Sequence, residues 1–97
     1  MTELDKLEAY LKGRGIPHER IDEPSYPGFE GLERHQIIVY DDRGKRSWDA
    51  ICNRCSYGGD QGLLEIMGKL VDKKRDGDSV AGWLTAENVI NRLEGLK

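Results

Sequence analysis

The sequence predicts a small α+β fold with an N-terminal helix, a β-hairpin and two C-terminal helices. Three observations predict it. Apolar residues repeat at helical spacing near both ends of the chain, two β-rich runs lie in the middle, and a turn sequence separates those runs. The chain has 97 residues, a length typical of one domain, so we predict a single domain over residues 1–97.

The first predicted helix covers residues 3–12. Thr2 can cap it, and Asp5 stands three residues later, in the position of a capping-box acid. Gly13 and Gly15 follow the last apolar position and end the helix. Its buried face is formed by Leu4, Leu7 and Leu11.

Residues 16–22 are short, charged and begin beside Pro17. Because proline has no backbone N–H for a sheet ladder, we predict an edge strand or extended arm that adds a third strand to the hairpin. Residues 23–34 contain two prolines and two glycines, which predicts a loop. Loops of this length in small domains are often functional, so the loop is a candidate binding element.

The predicted hairpin joins residues 35–40 to residues 46–52. Asp42 and Arg43 suit a type I turn, and Gly44 suits the left-handed bulge position that follows it. The resulting register pairs Tyr40 with Arg46, Ile38 with Trp48, and Gln36 with Ala50. Apolar residues then lie on both faces of the hairpin, so we expect other elements to cover much of each face.

The C-terminal half is predicted to be helical. A loop over residues 53–59 leads into a helix from Asp60 to about residue 72, and Gly68 inside that helix suggests a close contact with a neighbouring element. Residues 79–84, which include Trp83, are expected to pack on the core. Thr85 then caps a last helix that ends at Gly95.

Two cysteines, Cys52 and Cys55, form the pair closest to a metal or redox motif. A redox pair is one interpretation, and a zinc site completed by His18 and His35 is another. The spacing matches no established motif, so we interpret Cys52 as a small core residue and Cys55 as a loop thiol. No metal and no cofactor are predicted.

Asp49 lies in the middle of a predicted strand, where nucleases of the restriction-enzyme type carry an acid. Such a site needs a second acid two residues before a lysine on the next strand, which this sequence lacks. Asp49 is therefore interpreted as a solvent-facing or salt-bridged residue.

Residues 56–59 resemble a loop that presents backbone N–H groups to an anion, but they lack the lysine and the spacing of a P-loop. No catalytic residue is predicted.

Charge and hydropathy restrict the partners. The net charge of −3 and the interspersed charges argue against binding of nucleic acid. The longest apolar run, residues 37–40, is far shorter than the roughly 20 residues that span a membrane. The first residues lack the apolar region of a signal peptide, so we expect a cytoplasmic protein that does not bind membranes.

The leading functional prediction is a non-enzymatic interaction protein that binds a protein partner. The loops over residues 23–34 and 53–59 flank the hairpin. The candidate binding surface comprises Tyr26, His35, Trp48, Asp49, Arg54, Ser56 and Tyr57. A small metal-dependent or nuclease-like enzyme and a small-ligand or anion binder are the alternatives. An unpaired sheet edge also gives a reason to expect a homodimer.

Several segments of the sequence resemble segments of known proteins. They are residues 15–17, 19–22, 35–40, 48–50, 56–58, 62–65 and 80–93, the last with Gly82-Trp83-Leu84-Thr85 at its centre. Over most of its length the chain resembles uncharacterised small proteins of bacterial prophages and other mobile elements. The resemblance implies a bacterial, phage-linked setting and assigns no activity to any residue.

Overall fold

The fold is a five-stranded antiparallel sheet with two helices packed on one face. A computed structural model describes residues 1–25, 27–28 and 33–95. The elements in chain order are α1 (Glu3–Gly13), β1 (His18–Glu23), β2 (Arg34–Tyr40), β3 (Arg46–Ile51), β4 (Leu64–Gly68), α2 (Lys73–Asp76), β5 (Val80–Leu84) and α3 (Ala86–Glu94). The strands lie in the order β1-β2-β3-β4-β5, so each pairs with its neighbours in the chain.

The α+β class is as predicted, but the predicted layout is wrong between the hairpin and the last helix. Residues 60–72 contain strand β4 after a short 3₁₀ turn at Gly59–Gln61, and residues 80–84 form strand β5. Leu64 and Ile66 are fully buried while Met67 is exposed, which is the alternation of a strand. The apolar residues of this segment are spaced as in a helix, but the segment forms a strand. Helix α2, which follows this strand, is a single turn.

Helices α1 and α3 are fixed at their N-termini by reciprocal caps. Thr2 and Asp5 exchange hydrogen bonds in a capping box, and Thr85 and Asn88 do the same for α3. The Glu3 carboxylate accepts a hydrogen bond of 2.7 Å from the backbone N–H of residue 86, which ties the two helix N-termini together. This contact fixes the start of α3 directly after β5.

The turn of the hairpin forms where the sequence predicts it. Gly44 has a φ of +77°, and its N–H donates a 3.0 Å hydrogen bond to the carbonyl oxygen of Asp41. The left-handed conformation is one that glycine adopts without a steric penalty. The Asp41 side chain also accepts hydrogen bonds from the N–H groups of Arg43 and Lys45, each at 2.9 Å.

The predicted register of the hairpin is wrong by one residue beyond the turn. Trp48 opposes Val39 rather than Ile38, because Ser47 is an extra residue in a β-bulge. A shift of one residue moves a side chain to the other face of the sheet. Trp48 therefore points to the helix side and is only 3% exposed.

Gly68 accommodates this bulge from the neighbouring strand. It lies opposite Trp48 with a φ of +101°. A Cβ atom there would lie 2.6 Å from the carbonyl oxygen of Ser47 and 2.9 Å from the Cα of Trp48. The close contact expected at Gly68 is real, but it is made within the sheet and not by a helix.

The two faces of the sheet differ. The helix side carries the core, which joins leucines of α1 to Ile37, Val39, Trp48, Ala50, Leu64, Ile66, Ala81, Ala86 and Val89. The outer face is crossed by one row of paired residues, Glu19, Ile38, Asp49, Met67 and Val80. Exposed apolar side chains on this outer face are thus separate from the core.

Candidate functional site

Two aromatic side chains are stacked on each other at the surface beside β5. The rings of Tyr57 and Trp83 have centroids 5.2 Å apart and planes inclined by 20°. Tyr57 is 48% exposed and Trp83 is 57% exposed, although large aromatic residues in small domains are mostly well covered. We call Tyr57 and Trp83 the aromatic platform.

Trp83 is held in a strained backbone conformation. Its φ is +54°, and no other non-glycine residue in the described part of the chain has a positive φ. This conformation costs an L-residue roughly 1–2 kcal/mol. The cause is a bulge in the pairing of β5 with β4, where the register shifts between Leu64 and Ile66.

Two glycines bring the platform together. A Cβ atom on Gly82 would overlap the Cβ of Tyr57. Gly58 has a φ of +88°, and a Cβ atom there would lie 2.9 Å from the Cα of Trp83. The N–H of Trp83 also donates a 3.1 Å hydrogen bond to the carbonyl oxygen of Tyr57. The stacking therefore depends on close backbone contact as well as on the rings.

The loop that carries Tyr57 is fixed by its own polar groups. The Ser56 hydroxyl accepts a hydrogen bond from the N–H of Asn53 and donates one to its carbonyl oxygen, both at 2.8 Å. The N–H of Tyr57 donates to the Glu65 carboxylate at 2.9 Å. The N–H groups of Ser56 and Gly59 donate within the loop. These donors are thus occupied and not available to a bound anion.

An open groove of about 540 Å³ runs beside β5 and reaches the aromatic platform. We call it the β5 groove. Apart from the strand and the platform, its lining consists of charged side chains: Arg75, Asp76, Asp78 and Arg92. The groove thus places mixed charge beside an aromatic surface.

Two of these charges neutralise each other. Arg92 donates two hydrogen bonds to the Asp76 carboxylate, at 2.8 and 2.9 Å, and a third of 3.3 Å to the carbonyl oxygen of Leu70. The guanidinium group lowers the pKa of Asp76 from 3.8 to about 2, and the carboxylate in turn raises the pKa of Arg92. The pair fixes α2 against α3 and forms one wall of the groove.

Arg75 and Asp78 are the charges of the β5 groove that form no salt bridge among the described residues. Asp78 accepts hydrogen bonds from the N–H and hydroxyl groups of Ser79, at 2.6 and 3.3 Å. Arg75 is exposed and contributes only weakly to the lowered pKa of Asp76. Neither charge is thus neutralised by a salt bridge among the described residues.

The sequence-predicted binding surface does not assemble as one site. Trp48 is buried in the core, and Tyr26 lies outside the described residues. Asp49 is 7% exposed and accepts a hydrogen bond of 2.7 Å from Gln36 and a 3.0 Å salt bridge from Arg46. Its charge is thus compensated within the sheet.

His35 and the cysteines lie at the end of β2 and β3 that is far from the hairpin turn. His35 Nδ1 is 2.8 Å from the Asp22 carboxylate, and His35 and Cys52 line a small pocket beside α1. Burial raises the pKa of the Cys52 thiol, which disfavours the reactive thiolate. Cys55 is exposed. The part of the chain that the structure describes contains no group of three His, Cys, Asp or Glu side chains placed to hold a metal ion.

Arg54 and Ser56 have local roles in the same loop. The backbone N–H of Arg54 donates a 2.8 Å hydrogen bond to the Glu33 carboxylate, and its side chain is exposed. Of the seven predicted residues, Tyr57 is the one that the aromatic platform uses. The apolar neighbours of Trp83 predict a core position for it, and this prediction is wrong because the side chain is 57% exposed. The glycine beside each ring, Gly58 and Gly82, is the sequence signal that could have indicated the platform.

A scan against known protein families and searches of characterised proteins and of solved structures find no match to this chain. Within the described residues, no helix has the length and apolar character needed to cross a membrane. Function is therefore inferred from the geometry and charge of the surface.

Proposed function

We propose that this chain is a non-enzymatic interaction protein that binds a protein partner through the aromatic platform. The observation that supports it is the strained and exposed tryptophan. A bulky residue with positive φ persists only where its surroundings enforce it, and such residues cluster at functional sites. A glycine at position 83 would avoid the strain of Trp83, so the ring itself is the feature that needs an explanation.

The apolar surface extends beyond the two rings. Met67 is 48% exposed and pairs across the strands with Val80, which lies near Trp83 in β5. Tryptophan and tyrosine are enriched among the residues that dominate binding energy at protein interfaces. Methionine adapts its shape to different partners. These residues together are better suited to binding a protein surface than to binding a small ion.

The enzymatic alternative draws less support from the geometry. Asp49 is already paired with Gln36 and Arg46, and His35 is paired with Asp22. A catalytic carboxylate or imidazole needs a free position for substrate or metal. We therefore rank enzyme function below partner binding.

The proposed setting follows from the sequence rather than from the fold. The resemblance to prophage proteins favours a bacterial host and a phage-linked process. The proposed location of this process is the cytoplasm. A host protein is accordingly the partner class that we propose.

Affinity capture from a bacterial lysate with matched variants tests the proposal. Trp83→Gly removes the ring and relieves the strain, so the fold is expected to persist. Arg43→Ala, in the exposed hairpin turn, is the control because it changes an exposed residue outside the platform. We expect the wild type and Arg43→Ala to retain the same proteins, and Trp83→Gly to retain at least about tenfold less.

Two results would contradict the proposal. One is that no protein is enriched on the wild type over empty resin. The other is that Trp83→Gly retains the same proteins at the same level. Circular dichroism of each variant shows that the comparison is between folded proteins.

A further inference from the structure

We propose that a pocket on the outer face of the sheet binds a neutral carboxamide, the side chain of an asparagine or glutamine of the protein partner. The inference rests on the proposed function, because it names a group that the partner presents beside the aromatic platform. The pocket has a volume of about 380 Å³ and lies at the β-bulge of β3, next to Gly68 of β4. Its polar lining is Arg46, Ser47 and Asp49, and we call it the bulge pocket.

Asp49 brings to the bulge pocket a carboxylate oxygen that can accept a further hydrogen bond. Its side chain is only 10% exposed. Both contacts of the carboxylate are made by Oδ2, to which Gln36 donates at 2.7 Å and from which Arg46 Nη2 lies 3.0 Å away. The other oxygen, Oδ1, has no hydrogen-bond partner among the described residues, yet it is not one of the side-chain atoms that are fully buried without a partner. Because Asp49 lines the bulge pocket, Oδ1 is open to a donor there.

Ser47 supplies a hydroxyl group to the same pocket. The hydroxyl forms no hydrogen bond within the described part of the chain, and the residue is half-buried. Its carbonyl oxygen accepts a 3.0 Å hydrogen bond from the N–H of Lys69, which fixes the bulge. A serine hydroxyl can both donate and accept. Bulges are over-represented next to active sites, where they redirect a side chain, and this bulge places a free hydroxyl beside a free carboxylate oxygen.

The charges of the lining cancel, which decides the class of ligand. Arg46 and Asp49 pair with each other, so the pocket carries no net charge. A lysine of the partner would add a cation beside Arg46, and a carboxylate would add an anion beside Asp49, each without compensation. A carboxamide is neutral, and its NH₂ group can donate to Oδ1 of Asp49 while its oxygen accepts from the Ser47 hydroxyl.

Met67 joins the bulge pocket to the surface that includes the aromatic platform. It lines the pocket, and it opposes Asp49 on one side and Val80 of β5 on the other. Its side chain is 48% exposed, so the aliphatic part of a glutamine or asparagine can pack against the thioether. A partner that covers the platform therefore reaches the pocket along the same apolar surface.

Nuclear magnetic resonance titration of the isotope-labelled chain with propionamide tests the pocket. Propionate and n-propylammonium are charged probes of similar size. We expect propionamide to shift the amide signals of residues 46–49 and 67–68 to saturation, and the charged probes to produce no saturating shift. Ser47→Ala removes a hydroxyl without a hydrogen bond of its own, so it should keep the fold and weaken propionamide binding about threefold or more. Ser79→Ala, at an exposed position outside the pocket, is the matched control and should have no effect.

Capture from a bacterial lysate then identifies the occupant of the pocket. We expect propionamide to displace the captured partner and Ser47→Ala to retain about threefold less of it. Propionamide signals that stay in place, or a charged probe that binds as tightly, would overturn the chemistry of the site. A partner lost by Trp83→Gly but retained in full by Ser47→Ala would refute this inference and leave the proposed function standing. Propionamide binding without any captured protein would refute the proposed function and, with it, a partner side chain as the occupant.

Discussion

Replacing Trp83 with alanine and with glycine isolates the backbone strain beneath the aromatic platform. Both changes remove the ring, so the lost stacking and burial cancel in the comparison. At a φ of +54° alanine keeps a penalty of roughly 1–2 kcal/mol that glycine escapes. The greater freedom of glycine in the unfolded chain offsets about 0.5–1 kcal/mol of this. From the central values of these two ranges, we therefore expect Trp83→Gly to be more stable than Trp83→Ala by about 0.75 kcal/mol.

The same pair of substitutions at Met67 provides the control. Met67 is similarly exposed but lies in β4 without a positive φ. Glycine in an ordinary strand position is less stable than alanine by about 0.5–1 kcal/mol. The sign of the difference should therefore reverse between the two sites.

Urea denaturation measures both differences. The chain has two tryptophans, so buried Trp48 is the single fluorescent tryptophan left in both Trp83 variants and reports their unfolding. Far-UV circular dichroism provides a second probe and allows comparison with the Met67 variants. If Trp83→Ala is as stable as Trp83→Gly, or more stable, Trp83 carries no strain and the reasoning is wrong.

Three further changes test the packing around the site, each measured by denaturation. Gly82→Ala should destabilise the fold by about 1–3 kcal/mol through steric overlap, whereas Gly13→Ala, where a Cβ meets no atom within 4 Å, should not destabilise it. Gly68→Ala should cost a similar amount, and a loss below about 0.5 kcal/mol would contradict the tight bulge. Asp76 has a pKa lowered to about 2, so its pairing stabilises the fold fully above about pH 4 and is lost as the pH falls toward 2. Screening by solvent limits that loss to about 1–2 kcal/mol, and Asp76→Asn should remove this pH dependence.

The sequence predicts the elements whose signals are local. The capping box of α1, the Thr85 cap of α3 and the turn at Gly44 are each set by a few adjacent residues. The second predicted helix fails because Leu64 and Ile66 fit both a helix and a strand, and pairing with β3 decides between them. That decision rests on contacts that are distant in the chain.

The sequence-based predictions for Trp48 and Trp83 are also wrong because strand pairing decides where each side chain lies. Bulges at Ser47 and at Trp83 each add a residue that no periodic pattern reveals. The first sends Trp48 into the core, and the second leaves Trp83 on the surface. The two tryptophans thus have different roles for a reason that only the strand pairing shows.

Photo-crosslinking from position 67 tests most directly whether the aromatic platform binds a protein. Met67 would be replaced by benzoylphenylalanine, with Arg43 replaced as the control in the exposed turn. We predict a discrete adduct with a bacterial host protein from position 67 and none from position 43. The adduct should disappear when Trp83→Gly is added. No adduct from position 67, or one that persists in the Trp83→Gly background, would contradict the proposal that this surface is the binding site.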